Sequence, residues 1–235
     1  MDRMRIGSAC GMLRDLSVGE IVGMRHGHLR QFGQHLAQMG AHRGFGCVRV
    51  ATAQRIQDLL VLADAVKQRT PFTLMQLATV GEDGAPKIRT IVLRSFNEAS
   101  TSLSFITDLR SPKVREITAN PCVSLAGFDN ERVVQLRIDG RAEIIEDETR
   151  RRDFWNALRP HTHILFRSAL PPGTVLASPN EMETDDSDPA TAYARFCLVE
   201  IVISHVERLD LSSEPHRRCS FRQGLHGWEG RWIVP

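Results

Sequence analysis

Residues 89–94 read Arg-Thr-Ile-Val-Leu-Arg, and residues 105–113 read Phe-Ile-Thr-Asp-Leu-Arg-Ser-Pro-Lys. The β-rich residues of both stretches predict strands, and the Ser-Pro-Lys sequence at 111–113 predicts the start of a helix. A helix N-terminus presents unpaired N–H groups and a positive dipole end, so an anion is held there when a cation lies nearby. Arg89 and Lys113 supply such cations. The two stretches therefore predict a site for the phosphate of a small molecule.

Short β-rich runs separated by turn residues extend in both directions from these stretches. The runs that predict strands are residues 72–80, 87–95, 102–108, 122–128, 132–146, 196–211, 217–222 and 227–234. Gly81-Glu82-Asp83-Gly84 and Asp129-Asn130 have the turn chemistry of hairpins. Helical spacing of apolar residues between Thr52 and Thr70, and again from Asp147 to Leu158, predicts flanking helices. This mainly β pattern favours an antiparallel barrel or sandwich over a doubly wound sheet.

The composition limits the classes of protein and of partner. With 235 residues, of which 42% are hydrophobic, the chain can bury one sizeable core. Thirty basic and 28 acidic residues leave a net charge of +2, too small to indicate nucleic-acid binding. Five separated cysteines indicate neither a zinc knuckle nor a disulfide framework. Without a transmembrane or signal-peptide run, we expect a cytoplasmic protein with no membrane or nucleic-acid partner.

Residues 1–50 differ from the rest of the chain, because glycine, histidine, methionine and arginine are frequent and apolar periodicity is weak. This composition predicts a poorly ordered N-terminal extension, followed by one domain over residues 51–235. Four histidines fall in the extension without carboxylates or cysteines at matching spacing, so no metal site is predicted. Prolines and acidic residues between 159 and 194 predict a long loop, the kind of segment that often covers a site.

Several motifs together resemble the FMN-binding split-barrel proteins, specifically the pyridoxamine 5'-phosphate oxidase-like group. The motifs are Arg89 to Arg94, Thr107 with Ser111 and Lys113, Asn120-Pro121, Gln135 to Gly140, and the tail from Arg218 to Pro235. The resemblance rests on their order and spacing over roughly residues 52–235. It implies an antiparallel Greek-key split barrel of about six strands, with short flanking helices.

The resemblance also implies FMN as the cofactor, with its phosphate bound by Arg89, Ser111 and Lys113. Gln135 matches a glutamine that reaches the flavin of the partner subunit, and Arg218 matches a C-terminal arginine on the cofactor. The further cofactor contacts that it implies are Thr90, Ile91, Val92, Leu93, Arg94, Ile106 and Thr107. A homodimer with flavin sites at the subunit interface follows from this arrangement.

Departures from the family pattern concern the substrate more than the cofactor. Pyridoxamine-phosphate oxidases end the first motif with lysine and carry Arg-x-His before the C-terminal arginine, where this chain has Arg94 and Glu214-Pro215-His216. A second family arginine is replaced by Pro112, and Arg110 or Arg115 is available to take its place. These differences indicate a less characterised branch, in which the substrate and electron acceptor are open and no catalytic residue is assigned.

Two functions follow. The first is an FMN-dependent oxidoreductase in which flavin N5 accepts a hydride from a small molecule and oxygen is a possible acceptor. The substrate candidates are Arg94, Trp155, Arg159 and His216. The alternative, supported by Glu214, is a flavin- or haem-binding split barrel without turnover.

Simpler structural roles remain open for the same residues. Trp155 is also expected to anchor its helix in the core, and a surface position is open for His216. Arg89 and Arg94, five positions apart on a strand, nominally point to opposite faces. If both arginines serve the site, either a bulge lies between them or they have separate roles at the phosphate and the substrate.

Overall fold

The structure is a computed structural model that describes residues 61–178, 188–225 and 227–235. The predicted N-terminal extension over residues 1–50, with its four histidines, and the first part of the helix expected from Thr52 lie outside the described residues. Residues 61–67 are helical, as expected. Leu62 and Ala65 are the side chains buried there.

Nine strands and three short α-helices follow the helical residues 61–67. The strands are β1 (Leu74–Val80), β2 (Pro86–Val92), β3 (Ser95–Asn97), β4 (Ser102–Asp108), β5 (Cys122–Asp129), β6 (Val134–Ile144), β7 (Phe196–Asp210), β8 (Arg217–Gly224) and β9 (Gly227–Ile233). The helices are α1 (Pro112–Ala119), α2 (Glu148–Ala157) and α3 (Pro189–Arg195). Two 3-10 turns, Pro71–Thr73 and Pro160–Phe166, complete the order.

Every strand pair is antiparallel, and the order is β2-β1-β5-β6-β7-β4-β3. Beyond β2 the chain turns to β4, where the Arg94 N–H donates to the Ser104 carbonyl at 2.9 Å. This contact joins the two ends of the order, so six long strands curve into the expected barrel. The β8–β9 hairpin adds strands beyond those six, because the long β7 pairs with β4 through its first half and with β8 through its second.

A bulge bends the barrel where β6 faces β7. The register shifts between Asp139 and Gly140, and a Cβ atom at Gly140 would lie 2.5 Å from the Val202 carbonyl oxygen. Only glycine fits this close approach of two backbones. The extra residue of a bulge raises the local twist, which lets the long β6 and β7 coil around the core.

Local turns shorten two of the predicted strands. The first strand begins at Leu74 because Thr70 caps the 3-10 turn that precedes it, accepting from the Phe72 N–H. The strand predicted from residue 132 begins at Val134, as β6. Asp129 Oδ1 accepts the N–H groups of Glu131 and Arg132 at 3.0 Å each, and these bonds hold the turn two residues longer. Side-chain to backbone bonds of this kind compete with the ladder at strand ends.

An aromatic cluster anchors the helices to β7. Its buried members are Ile145, Trp155, Phe166, Ala192, Tyr193, Phe196 and Leu198, with Ile106, Phe154 and Leu158 packed against them. The region 159–194, expected as one long loop, thus contributes the 160–166 turn and α3 to a core. Among the described residues, no helix has the length and apolar character needed to cross a bilayer.

Candidate cofactor and substrate site

Lys113 draws together the end of β4 and the start of α1. Its Nζ donates to Thr107 Oγ1 at 2.9 Å and to Ser111 Oγ at 2.7 Å. Ser111 occupies the N-cap position, but its side chain makes no capping hydrogen bond, contrary to expectation, because it accepts from Lys113 instead. Pro112 has no N–H and the Val114 N–H donates to the Ser111 carbonyl at 2.9 Å, so the first-turn donor left for another acceptor is the Lys113 N–H.

Arg89 reaches the same helix from β2. Its Nη2 donates to Glu116 Oε2 at 2.7 Å, and its Nη1 donates to Thr79 Oγ1. Glu116 lies one turn beyond Lys113 on α1, so the two cations lie on adjacent sides of the helix start. We call Arg89, Thr107, Ser111 and Lys113 the phosphate cradle.

The electrostatics of the cradle favour an anion. Burial lowers the pKa of Lys113, and the positive charge of Arg89 lowers it further, while Glu116 acts in the opposite direction. A bound anion would stabilise the charged form of the lysine. The donors present are an ammonium, a guanidinium, a hydroxyl and the Lys113 N–H at the helix start, and this set fits the phosphate of FMN.

A cavity of about 640 Å³ lies where β2 ends. It is lined by residues 65–69, Thr73, Leu74, Val92, Leu93, Arg94, Phe154 and 157–159 with His161. Arg94 Nε is buried and has no hydrogen-bond partner among the described residues. Burial lowers the pKa of Arg94, and the like charge of Arg159 lowers it further. We call this space the Arg94 cavity; two cations face it, so it too suits an anionic group.

The two arginines lie in different places: the register of β2 runs without a bulge to its end at Val92, and Arg94 follows two residues later. Arg89 lies in the cradle and Arg94 in the cavity. Between them, Ile91 and Leu93 are buried in the barrel, whereas Thr90 points outward and donates to Gln76 Oε1 at 3.0 Å. Ile106, half-buried, packs against the aromatic cluster.

Gln135 and Arg218 lie apart from the cradle on the outer side of the sheet. Both are paired with Leu209, from opposite sides, which puts the three residues in one row. Arg218 Nη2 donates to Glu207 Oε2 at 2.7 Å. Within the described chain, no hydrogen bond or ion pair connects either residue to the phosphate cradle.

Two of the four substrate candidates lie together, and the other two lie in separate places. Arg94 and Arg159 meet at the cavity. Trp155 is buried in the aromatic cluster, where its ring stacks on that of His163 with centroids 4.1 Å apart, the geometry of a helix anchor. His216 is exposed at the start of β8, and its Nδ1 donates to the Ser213 carbonyl at 3.1 Å.

Neither Arg110 nor Arg115 lies in the cradle to replace the family arginine that Pro112 displaces. Arg110 pairs with Asp108 through two nitrogens and donates to the carbonyls of Ser168 and Ala169. Arg115 is exposed and lies 3.4 Å from Glu82. The cradle therefore has two side-chain cations, Arg89 and Lys113.

Three residues of the site have no counterpart in the sequence-based prediction. Thr79 and Glu116 bind Arg89, and His161 lines the Arg94 cavity. Its position two residues after the substrate candidate Arg159 was a usable signal for the histidine. Thr79 and Glu116 gave none, because their contact joins positions 37 residues apart.

Comparisons with known proteins agree with this geometry. Residues 55–146 match the family model described as pyridoxamine 5'-phosphate oxidase, FMN-binding domain. Pyridoxine/pyridoxamine 5'-phosphate oxidase 2 of Arabidopsis thaliana is 30% identical over 147 residues, which are 59% of this chain and 74% of the plant protein. The enzyme of Mannheimia succiniciproducens is 34% identical over 112 residues, or 48% of this chain and 51% of that protein.

A solved structure shares most of the described fold. The pyridoxamine 5'-phosphate oxidase-related, FMN-binding protein of Nostoc punctiforme superposes with a TM-score of 0.65 at 25% identity, covering 76% of this chain and 96% of that one. Apart from the plant protein, the curated relatives are matched over about half of their length. The matched family domain contains the cradle, Arg94 and Gln135, and ends before Arg159 and Arg218.

Proposed function

We propose that this chain, which belongs to the FMN-binding pyridoxamine 5'-phosphate oxidase family, is an oxidoreductase that acts on a small anionic amine or alcohol. One observation carries the proposal: one short segment leads from Arg89 on β2, in the phosphate cradle, to Arg94, two residues past the end of β2, in a second cationic cavity. Cofactor phosphate and substrate anion would thus have separate cationic sites, joined by one short segment of the chain.

The cradle residues would hold FMN by its phosphate. Lys113 and Arg89 supply charge, Ser111 supplies a hydroxyl, and Thr107 keeps the lysine in place. When bound, FMN supplies a hydride acceptor at N5 and can pass electrons to oxygen. The chain itself contributes orientation and the electrostatics of the site.

The Arg94 cavity would hold the substrate. Arg94 and Arg159 face it with like charges, and an anion between them relieves their repulsion and supplies the partner that Arg94 Nε lacks. Phe154 and Leu158 give the cavity an apolar wall. This combination suits a planar substrate with a phosphate, and the curated relatives bear the names of oxidases of such a substrate.

The proposed reaction oxidises a carbon that carries an amine or a hydroxyl. The C–H bond breaks with its electron pair, the heteroatom loses a proton, and an imine or aldehyde forms. Oxygen takes up the two electrons with two protons and leaves as hydrogen peroxide. This reaction needs no nucleophile from the protein, so no side chain has to be assigned a catalytic role.

The proposal includes a homodimer in which Gln135 and Arg218 of the partner subunit complete the flavin site. Its support is the outer face of the sheet, where these residues share a surface with apolar side chains. The exposed apolar side chains there are Leu74, Ile88, Val92 and Phe128. A surface of this kind, beside polar residues with a cofactor role, fits an interface between two copies.

Anaerobic reduction of the FMN-loaded protein tests the activity. We expect pyridoxamine or pyridoxine 5'-phosphate to bleach the oxidised flavin, and unphosphorylated pyridoxamine to do so only at much higher concentration. Arg94→Met and Arg159→Met should each raise the half-saturating concentration by tenfold or more, about the loss of one charge-assisted bond. Arg152→Gln, which removes an exposed cation paired with Glu148, is the matched control.

The opposite outcome favours the second function. A flavin that binds but stays oxidised with phosphorylated amines and alcohols would indicate a binding protein without turnover. The observation that favours this second function is Glu214, an exposed anion at the position where the family resemblance implies an arginine.

A further inference from the structure

Arg89 is held by two residues that lie outside every cofactor motif, Thr79 on β1 and Glu116 on α1. Arg89 Nη1 donates to Thr79 Oγ1, and Nη2 donates to Glu116 Oε2 at 2.7 Å. Thr79 Oγ1 in turn donates to that same carboxylate oxygen. The Thr79 hydroxyl, the Glu116 carboxylate and the two terminal nitrogens of Arg89 thus form a closed ring of hydrogen bonds.

This ring determines which edge of the guanidinium is available. Arginine has five N–H donors in a rigid fork. Nη1 uses one on Thr79 and one, at 3.3 Å, on the Lys87 carbonyl, and Nη2 uses one on Glu116. The Nε–H and the second Nη2–H of Arg89 have no partner in the part of the chain that the structure describes. These two donors form the edge that binds two oxygens of one phosphate.

We propose that Thr79 and Glu116 are positioning residues, which orient Arg89 so that its Nε–Nη2 edge binds the FMN phosphate. The inference rests on the assignment of Arg89 to the phosphate in the proposed function. A long flexible side chain loses rotamer freedom when it binds a ligand, and an arginine already fixed by the protein loses less. Positioning of this kind raises affinity for the phosphate without contact between Thr79 or Glu116 and the ligand.

Glu116 makes the proposal falsifiable, because its charge and its positioning role have opposite effects. The carboxylate is an anion with 6% of its surface exposed, beside a site that is to receive another anion. If only charge mattered, its removal would strengthen phosphate binding. If it positions Arg89, its removal weakens phosphate binding although a negative charge has been lost.

The experiment measures the dissociation constants of FMN and riboflavin for the full-length protein by quenching of flavin fluorescence. The two ligands differ only in the phosphate. We expect Glu116→Ala and Thr79→Val to weaken FMN about tenfold while leaving riboflavin unchanged. Thr79→Ser keeps the hydroxyl and should bind FMN like the wild type, and Glu116→Gln should restore most of the affinity because its amide oxygen still accepts from Nη2.

Several results would overturn the proposal. FMN affinity in Glu116→Ala equal to or above that of the wild type assigns the residue a purely electrostatic effect. Equal losses for FMN and riboflavin assign a structural role. Should Glu116→Ala fail to fold, Thr79→Val decides, since valine matches threonine in volume and lacks only the hydroxyl. A wild-type protein that binds neither flavin removes the proposed function and this inference together, which separates that failure from the others.

Discussion

The protonation of Lys113 is expected to make phosphate binding in the cradle depend on pH. Burial and the charge of Arg89 lower its pKa, so it releases its proton at a pH below the usual range of lysine, about 10.4. The phosphate prefers the protonated form. FMN affinity should therefore be full below this lowered pKa and fall as the pH rises through it. Titration of the dissociation constant against pH checks the expected fall.

Two controls separate Lys113 from other alkaline effects. Lys113→Arg keeps a cation that stays protonated, so its FMN affinity should be flat over the same range. Riboflavin carries the same ring without the phosphate and should show no fall attributable to the lysine. A wild-type profile that follows the arginine variant would contradict the role of Lys113.

The charge of Lys113 should also be visible at a single pH. Lys113→Gln removes one charge-assisted bond to the phosphate, which we expect to weaken FMN at neutral pH by tenfold to about a hundredfold. Lys87→Gln is the matched control, because Lys87 lies over the β1–β2 turn and pairs with Asp83 at 2.7 Å. Fluorescence titration of both variants gives the comparison, and equal losses would argue against the cradle.

At the scale of elements, Arg110 fastens the segment after the 160–166 turn to the start of α1. Its guanidinium binds Asp108 and the carbonyls of Ser168 and Ala169, and Gly173 of the same segment lies beside Pro112. Arg110→Gln should release residues 168–174 while the barrel stays folded. Hydrogen exchange should accelerate there and not in β6 or β7.

Arg115→Gln is the control for this element, since Arg115 also carries a cation on the α1 side of the fold. Its exposed pair with Glu82, at 3.4 Å, contributes about 1 kcal/mol or less. Exchange in residues 168–174 should therefore match the wild type. Faster exchange in both variants would mean that α1 as a whole has loosened.

Elements with local signals were the ones predictable from sequence. Ser111-Pro112 marked the start of α1, Gly81 to Gly84 marked the first hairpin, and the apolar side of α2 identified Trp155 as a core anchor. What sequence could not give depends on distant pairing. Glu116 meets Arg89 across 27 positions, and only the full barrel shows that β7 is shared between β4 and β8.

The same limit applies within the candidate site. The residue types of the cradle were predictable, since a serine and a lysine at a helix start carry their chemistry locally. The hydrogen bonds of Ser111 were not, because its side chain had two competing partners and Lys113 prevailed over the helix cap. Likewise, the separation of Arg89 from Arg94 follows from β2 leaving β1 for β4 after Val92.

At the scale of the whole molecule, the proposed homodimer and its flavin site both depend on the outer face of the sheet. Cross-strand pairing places residues of β2, β1, β5, β6, β7 and β8 on one continuous surface. Its β2–β5 end is apolar, with Ile88 71% exposed, and its β6–β8 end carries Gln135 and Arg218. A monomer would leave the apolar end in water and the two polar residues away from their own cradle.

Ile88→Glu tests the proposed homodimer and its flavin site together. A carboxylate at this position would be buried without a partner in the dimer, so we expect dissociation at micromolar protein by light scattering. FMN affinity should fall with it, because Gln135 and Arg218 would no longer reach the cofactor. Val175→Glu, at a side chain 92% exposed outside that face, should remain dimeric and bind FMN normally. A wild-type protein that is monomeric yet binds FMN tightly would contradict an interfacial site.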